Sequence, residues 1–118
     1  VHKSDNSNNY LKENRLRKKS DYRRVLKNTF SKLTGKYVHI NVAKSENNIA
    51  KLGLIVKKSF GKAHIRNKFK RHVKEIFRTS LKKKYFSNEI VIISRTYAKE
   101  ATQKEIAEEI TKLLDQTN

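Results

Sequence analysis

An α/β (α+β) two-layer sandwich in one domain, with elements in the order αββαβα, is the fold this sequence predicts. Three observations carry that reading. Tyr37–Ala43 alternates apolar and polar side chains at period two, the pattern of a half-buried strand. The runs Leu54-Ile55-Val56 and Ile90-Val91-Ile92-Ile93 are wholly apolar but only strand-long. From Ala63 to about Lys83 the apolar residues recur at helical spacing. The length, 118 residues, suits a single domain with one modest core.

Residues 1–14 begin polar and rich in Asn and Ser, and are expected to form a mobile arm ahead of a domain spanning 15–118. Ser20 is placed to cap a first helix over about Asp21–Phe30, with Tyr22, Val25 and Leu26 on one side and Arg23, Arg24 and Lys27 on the other. Thr34-Gly35 ends that part. In the first strand Val38, Ile40 and Val42 share one face and Tyr37, His39 and Asn41 the other. Ser45–Asn48 is a turn, and Leu52–Lys58 is a second strand, expected to pair antiparallel with the first. In the long helix, Ile65, Phe69, Val73, Ile76, Phe77 and Leu81 fall within an arc of about 160°. Asn67, Lys68, Arg71, Lys74, Arg78 and Lys82 face the other way, with Arg66 and Lys70 on the seam. Ile90–Ser94 is a buried third strand, and Thr102–Leu114 a last helix with Ile106, Ile110, Leu113 and Leu114 inward.

Charge decides the function class. The chain has 29 Lys and Arg against 11 Asp and Glu, a formal net charge of +18. Such a balance opposes folding by self-repulsion and attracts polyanions. It is also localised: residues 62–84 hold ten basic side chains and one acid, Glu75, while 12–27 hold eight basic and two acidic. Lys62, His64, Arg66 and Lys68 crowd the start of the long helix, where a cation opposes the helix dipole by roughly 0.3–1 kcal/mol. A sequence selected for stability alone would place acids there. The same helix start, with its free N–H groups, suits phosphate.

Other classes fall away. The absence of Cys excludes disulfides, Cys-ligated zinc and a thiol nucleophile. No apolar run approaches the ~20 residues of a membrane span. No signal segment opens the sequence, and a cytoplasmic location is expected. His2, His39, His64 and His72 show no metal-ligand spacing, and Glu75, three residues after His72, reads as its helix-surface neighbour. No phosphate loop or nucleophile motif occurs. No catalytic residue and no protein-bound metal is therefore expected.

The segment Leu52–Arg78, LGLIVKKSFGKAHIRNKFKRHVKEIFR, closely resembles the signature of the bacterial ribonuclease P protein component. Arg66-Asn67-Lys68-Phe69-Lys70-Arg71 matches that family's "RNR" region, preceded by a strand ending in Lys57-Lys58 and by the Gly61 turn with Ala63. Arg15–Tyr22 (RLRKKSDY) is similar to the family's opening segment, and Glu89–Arg95 (EIVIISR) to its last strand. Phe69 stands where an aliphatic is usual, Tyr22 where Phe is commoner, and Ile40 near a position that is often aromatic.

The resemblance implies a small mixed sheet with a left-handed βαβ crossover, in a single RNA-binding domain. It implies a protein subunit that binds a catalytic RNA and the 5′ leader of precursor tRNA, promoting endonucleolytic removal of the leader, with magnesium in the RNA active site and no cofactor on the protein. Lys62, Arg66, Asn67, Lys68, Lys70, Arg71, Lys74 and Arg78 would meet the RNA subunit. Arg15, Arg17, Tyr22, Leu26, Tyr37, His39, Asn41, Lys57 and Lys58 would line the leader cleft. One monomer would serve one RNA. A ribosomal or other structural RNA-binding protein is the alternative that size and charge allow.

Overall fold

The computed structural model describes residues 12–117. Most of the expected arm, residues 1–11, lies outside the described residues. The described chain nevertheless starts ahead of the boundary at Arg15. Lys12–Asn14 is a 3-10 turn, and the buried Asn14 side-chain amide donates to the Ala50 carbonyl at 2.7 Å.

The first helix, α1 (Lys19–Lys27), begins and ends earlier than expected. Asp21, not Ser20, caps it: the carboxylate accepts from the N–H groups of Lys18 at 3.2 Å and Arg17 at 3.4 Å. The bond from Lys18 is the main cause holding the Asp21 carboxyl below its usual range. At the far end the Thr29 hydroxyl donates to the Val25 carbonyl at 2.8 Å, and the Phe30 N–H to the Val42 carbonyl at 2.9 Å. The chain thus turns into a strand that the expected order lacks, β1 (Ser31–Thr34). Its four residues, Ser-Lys-Leu-Thr, hold a single large apolar side chain, too little to show as a period.

The remaining elements are β2 (Val38–Lys44), β3 (Lys51–Ile55), α2 (Ala63–Ile76), β4 (Asn88–Ser94) and α3 (Gln103–Asp115). Helix α2 continues through a π-helical turn, Phe77–Leu81, and a last α-turn, Lys82–Lys84. The order is therefore αβββαβα. The sheet runs β1-β2-β4-β3, with β3 parallel to β4 across α2 and the other pairs antiparallel. It is mixed, as expected, but β2 and β3 do not pair: β4 lies between them. The reason is burial. Ile90, Val91 and Ile92 are fully enclosed, and a strand apolar on both faces belongs inside a sheet.

One face of the sheet carries the main core. Val38, Ile40, Val42, Leu52, Ile90 and Ile92 pack against Phe69, Val73 and Phe77 of the long helix and Ile106, Ile110 and Leu114 of α3. Phe69 meets Phe60 with ring centroids 5.4 Å apart and tilted by 56°, so the larger ring has a seat. Ile40 belongs to this core and not to the open face, so the missing aromatic there leaves that face unaltered. On the other face, Leu16 and Val25 cover Ala43 and Val91, with Tyr22, Ile55 and Ile93 at the margin. That cover is partial, and the site lies where it ends.

Candidate nucleic-acid interface

Helix α2 supplies a convex basic face. Its inward stripe is buried, which turns Lys62, His64, Asn67, Lys68, Arg71 and Lys74 outward as exposed side chains. Arg66 and Lys70 are half-buried, as their seam positions require. Arg66 donates through Nε to the Gly61 carbonyl at 3.1 Å, fixing its guanidinium beside the helix start. No acid lies in the first turn and no side chain caps it. Further along, Glu75 pairs with Arg78, Nε to Oε1 at 3.1 Å, and not with His72. Arg78 is therefore already neutralised by a carboxylate, whereas no ion pair joins the six cations before it to an acid among the described residues. Partial burial, with the charges of Lys68 and Arg71, pulls the His72 imidazole below its usual pKa.

A concave site occupies the opposite face of the sheet. Three side-chain rows cross that face. Tyr22 and the α1 core cover the row through Gly53 and Val91. The next row, Ile55–Ile93–His39–Thr34, is set by register across β3, β4, β2 and β1, and among the described residues only its Ile55 and Ile93 join the cluster under α1, at the margin. It forms the floor of a cleft of two joined hollows. The hollow beside α1 is lined by Arg17, Lys19, Tyr22, Arg23, Leu54 and Ile55. The other is lined by His39, Lys57, Ser59, Phe60 and Ile93 and by the turn Ser94–Tyr97. They meet at the Ile55–Ile93 pair. A floor apolar at Ile55 and Ile93 and polar at His39 and Thr34, with cationic walls, is a combination that can hold unstacked bases and their phosphates.

Tyr22 builds this site as well as lining it. Its hydroxyl accepts from the Leu54 N–H at 3.0 Å and lies 3.4 Å from the Leu54 carbonyl, satisfying an edge-strand backbone. Its ring lies so close to Gly53 that a Cβ there would come within 2.7 Å of Cε2. Arg24 also has a structural role. It spans Asp21 at 3.1 Å and the buried Glu89 at 2.9 Å, fastening α1 to β4. That leaves Arg17, Lys19 and Arg23 at the cleft.

The predicted cleft residues divide. Arg17, Tyr22, His39 and Lys57 line the two hollows. Asn41 lies one row further in and Lys58 in the exposed turn beside Lys57. Arg15 bridges by its backbone to Leu52, next to the α1 hollow. Leu26 is on the solvent side of α1, at 37% exposure, and lines neither hollow. Tyr37 is displaced altogether. It precedes β2, packs against the main core, and directs its hydroxyl toward Glu105 of α3 at 3.4 Å. The cause is Glu109, whose carboxylate accepts from the N–H groups of Lys36, Tyr37 and Val38 at 2.8, 2.7 and 3.0 Å. Gly35 makes room: a Cβ there would lie 2.4 Å from the Glu109 carboxyl carbon.

Sequence reasoning missed Lys19, Arg23, Ile55, Ile93, Arg95 and Tyr97 as lining residues. Arg95 and Ile93 stood within the EIVIISR segment, and their positions at the end of an apolar strand were the available signal. Tyr97, a lone aromatic in a turn, offered none. Among the described residues no group of three His, Asp or Glu side chains is placed to hold a metal, and no helix is long and apolar enough to cross a membrane.

Comparison with known proteins agrees across sequence and structure. The family model described as Ribonuclease P matches residues 11–118. The ribonuclease P protein component of Clostridioides difficile (strain 630) is 36% identical over 104 residues, covering 87% of this chain and 90% of its own. That of Alkaliphilus oremlandii is 33% identical over 105 residues, covering 89% and 91%. Among solved structures, the RNase P protein of Thermotoga maritima superposes with a TM-score of 0.75 at 31% identity, covering 86% and 96%. That of Staphylococcus aureus gives 0.79 at 26% identity, covering 91% and 97%.

Proposed function

We infer the finer role of this chain from the family to which it belongs, the protein components of ribonuclease P. Its function is that of the protein subunit of this ribonucleoprotein endoribonuclease, in tRNA processing, and its partner is ribonuclease P RNA. We propose that the α2 face meets the RNA subunit through Lys62, Arg66, Asn67, Lys68, Lys70, Arg71 and Lys74, with Arg78 at its edge. The cleft takes the single-stranded 5′ leader of precursor tRNA. In this reading the protein positions substrate and performs no bond cleavage, while the RNA holds the magnesium ions. One monomer acts per RNA, in the cytoplasm.

One observation carries the reading: two basic surfaces of opposite shape lie on opposite sides of a single sheet. A convex helix bearing cations on its outer face suits the phosphates of a folded RNA. A cleft with Ile55 and Ile93 on its floor and cations on its walls suits unpaired nucleotides, whose bases are free to stack. A subunit gripping both RNAs would hold the leader junction against the RNA active site.

The test is reconstitution with a bacterial ribonuclease P RNA at low magnesium. Adding the protein should raise precursor cleavage and favour precursor over mature tRNA, while the protein alone cleaves nothing. Cleavage by the protein alone would overturn the division of labour. Co-purification with ribosomal subunits, in place of one RNA of several hundred nucleotides, would favour the structural RNA-binding alternative.

A further inference from the structure

We propose that Tyr97 is the terminal base-stacking station of the cleft, and that it marks where the bound single strand leaves the protein. The proposal rests on the leader-binding reading of the cleft and adds to it an end point and a residue. Tyr97 is the most exposed large hydrophobic side chain among the described residues, at 62% exposure. No packing explains it, because the ring belongs to neither core cluster. It stands in the turn Thr96–Glu100, directly after β4, and is held there by its neighbour. The Arg95 guanidinium carbon lies 5.8 Å from its ring centroid, and Arg95 is itself anchored, donating to the Gly35 carbonyl at 2.6 Å. An exposed ring steadied by a fixed guanidinium is a preorganised platform for a base.

Its position gives the platform a direction. Tyr97 lines the cleft hollow with His39, Lys57 and Arg95, and on its other side it lines a separate hollow with Lys36, Lys99, Glu100 and Glu105. The first hollow has cations and no acid; the second has two acids matching its two cations. A phosphate chain is therefore attracted as far as Tyr97 and meets no net attraction beyond it. The ring stands on the border, where the last held base stacks and the strand turns into solvent.

The experiment uses the reconstituted holoenzyme and precursor tRNAs whose leaders shorten one nucleotide at a time. Wild type should gain affinity with each added leader nucleotide and then stop gaining. Tyr97→Ala should remove the last gain, about fivefold as expected for one stacked base, and leave shorter leaders and mature tRNA bound as in wild type. Tyr97→Phe should behave as wild type, since stacking needs the ring and not the hydroxyl. The ring is exposed, so thermal melts of the three proteins should coincide. Equal affinity of Tyr97→Ala and wild type at every length, or a loss shared by mature tRNA, overturns the inference and leaves leader binding intact. A Phe variant as weak as the Ala variant overturns stacking in favour of a hydroxyl contact. If wild type itself ignores leader length, the leader-binding reading fails first, and this inference with it.

Discussion

The α2 face and the sheet cleft carry the same sign of charge and are built in opposite ways. On α2 the cations project from one rigid rod, most of them placed by helical position alone, with Arg66 tied to the Gly61 carbonyl and Arg78 to Glu75. In the cleft they stand around a floor assembled from β1 to β4, apolar at Ile55 and Ile93 and polar at His39 and Thr34, with α1 as one wall. The first arrangement can count phosphates and does little else. The second can also take bases, because Ile55, Ile93 and Tyr22 offer surface that water does not hydrate well. Charge alone therefore points to a polyanion partner, while the proposed assignment of two RNAs to two faces rests on shape.

The largest effect that would break this comparison is in salt. About six phosphate contacts on α2 should cost RNA-subunit affinity ~10³ between 50 and 200 mM salt. The precursor-to-mature affinity ratio, the readout of the proposed leader cleft, should change less, because the stacking part of that contact is not screened. Arg66→Ala with Arg71→Ala should lower the salt slope by about two and leave that ratio intact. Filter-binding titrations across salt check both, and equal salt dependence of the two quantities would remove the distinction.

Next in size is Tyr22. Because its ring seats on Gly53 and its hydroxyl serves the Leu54 backbone, Tyr22→Ala should destabilise the fold by about 3 kcal/mol, read as a lower urea midpoint. It is therefore an impure probe of leader binding. Tyr22→Phe keeps the ring, should cost about 0.5–1.5 kcal/mol, and should leave leader discrimination nearly unchanged. A loss of discrimination with Phe would mean that the hydroxyl reaches RNA and not only Leu54.

These two surfaces were unequally legible in the sequence. The α2 face could be read residue by residue, since period and charge are local and one helix displays both. The inward stripe from Phe69 to Leu81 and the inward residues of α3 lie where the periodicity put them. The cleft was legible only in pieces, because its floor pairs Ile55 with Ile93 and Ile93 with His39 across strands distant in sequence. No local pattern says that β4 separates β2 from β3. The error at Tyr37 shows the limit of alternation. Period two holds only inside a strand, and Tyr37 lies one residue outside β2, where Glu109 bonds three successive N–H groups.

That clasp gives a smaller test of where the cleft ends. Glu109→Gln keeps the size and weakens three charge-assisted bonds, so it should lower stability by about 1.5–3 kcal/mol in urea denaturation. With Tyr37 tied to α3 and not to the cleft, the precursor-to-mature ratio should stay within about twofold of wild type. A larger change would return Tyr37 to the leader site.

The smallest effect separates the faces by pH. His72 lies on α2, where burial and then the charges of Lys68 and Arg71 hold its imidazole below the ordinary value of 6.5. The unfolded chain therefore binds this proton more readily than the folded one. Stability is full above the unfolded value and falls as pH drops from about 6.5 through the lower folded value. Asp21 and Glu75, held low by the Lys18 N–H and by Arg78, lose their contributions only in more acid solution, through their own depressed values. The acid limb of stability should thus have two steps, and His72→Gln should remove the upper one. RNA phosphates on α2 reverse the local field, so binding the RNA subunit should raise the His72 pKa, while a leader oligonucleotide in the cleft should leave it unmoved. Titrating the His72 ring by NMR with each ligand reads this directly. A shift caused by the oligonucleotide and not by the RNA subunit would exchange the two assignments.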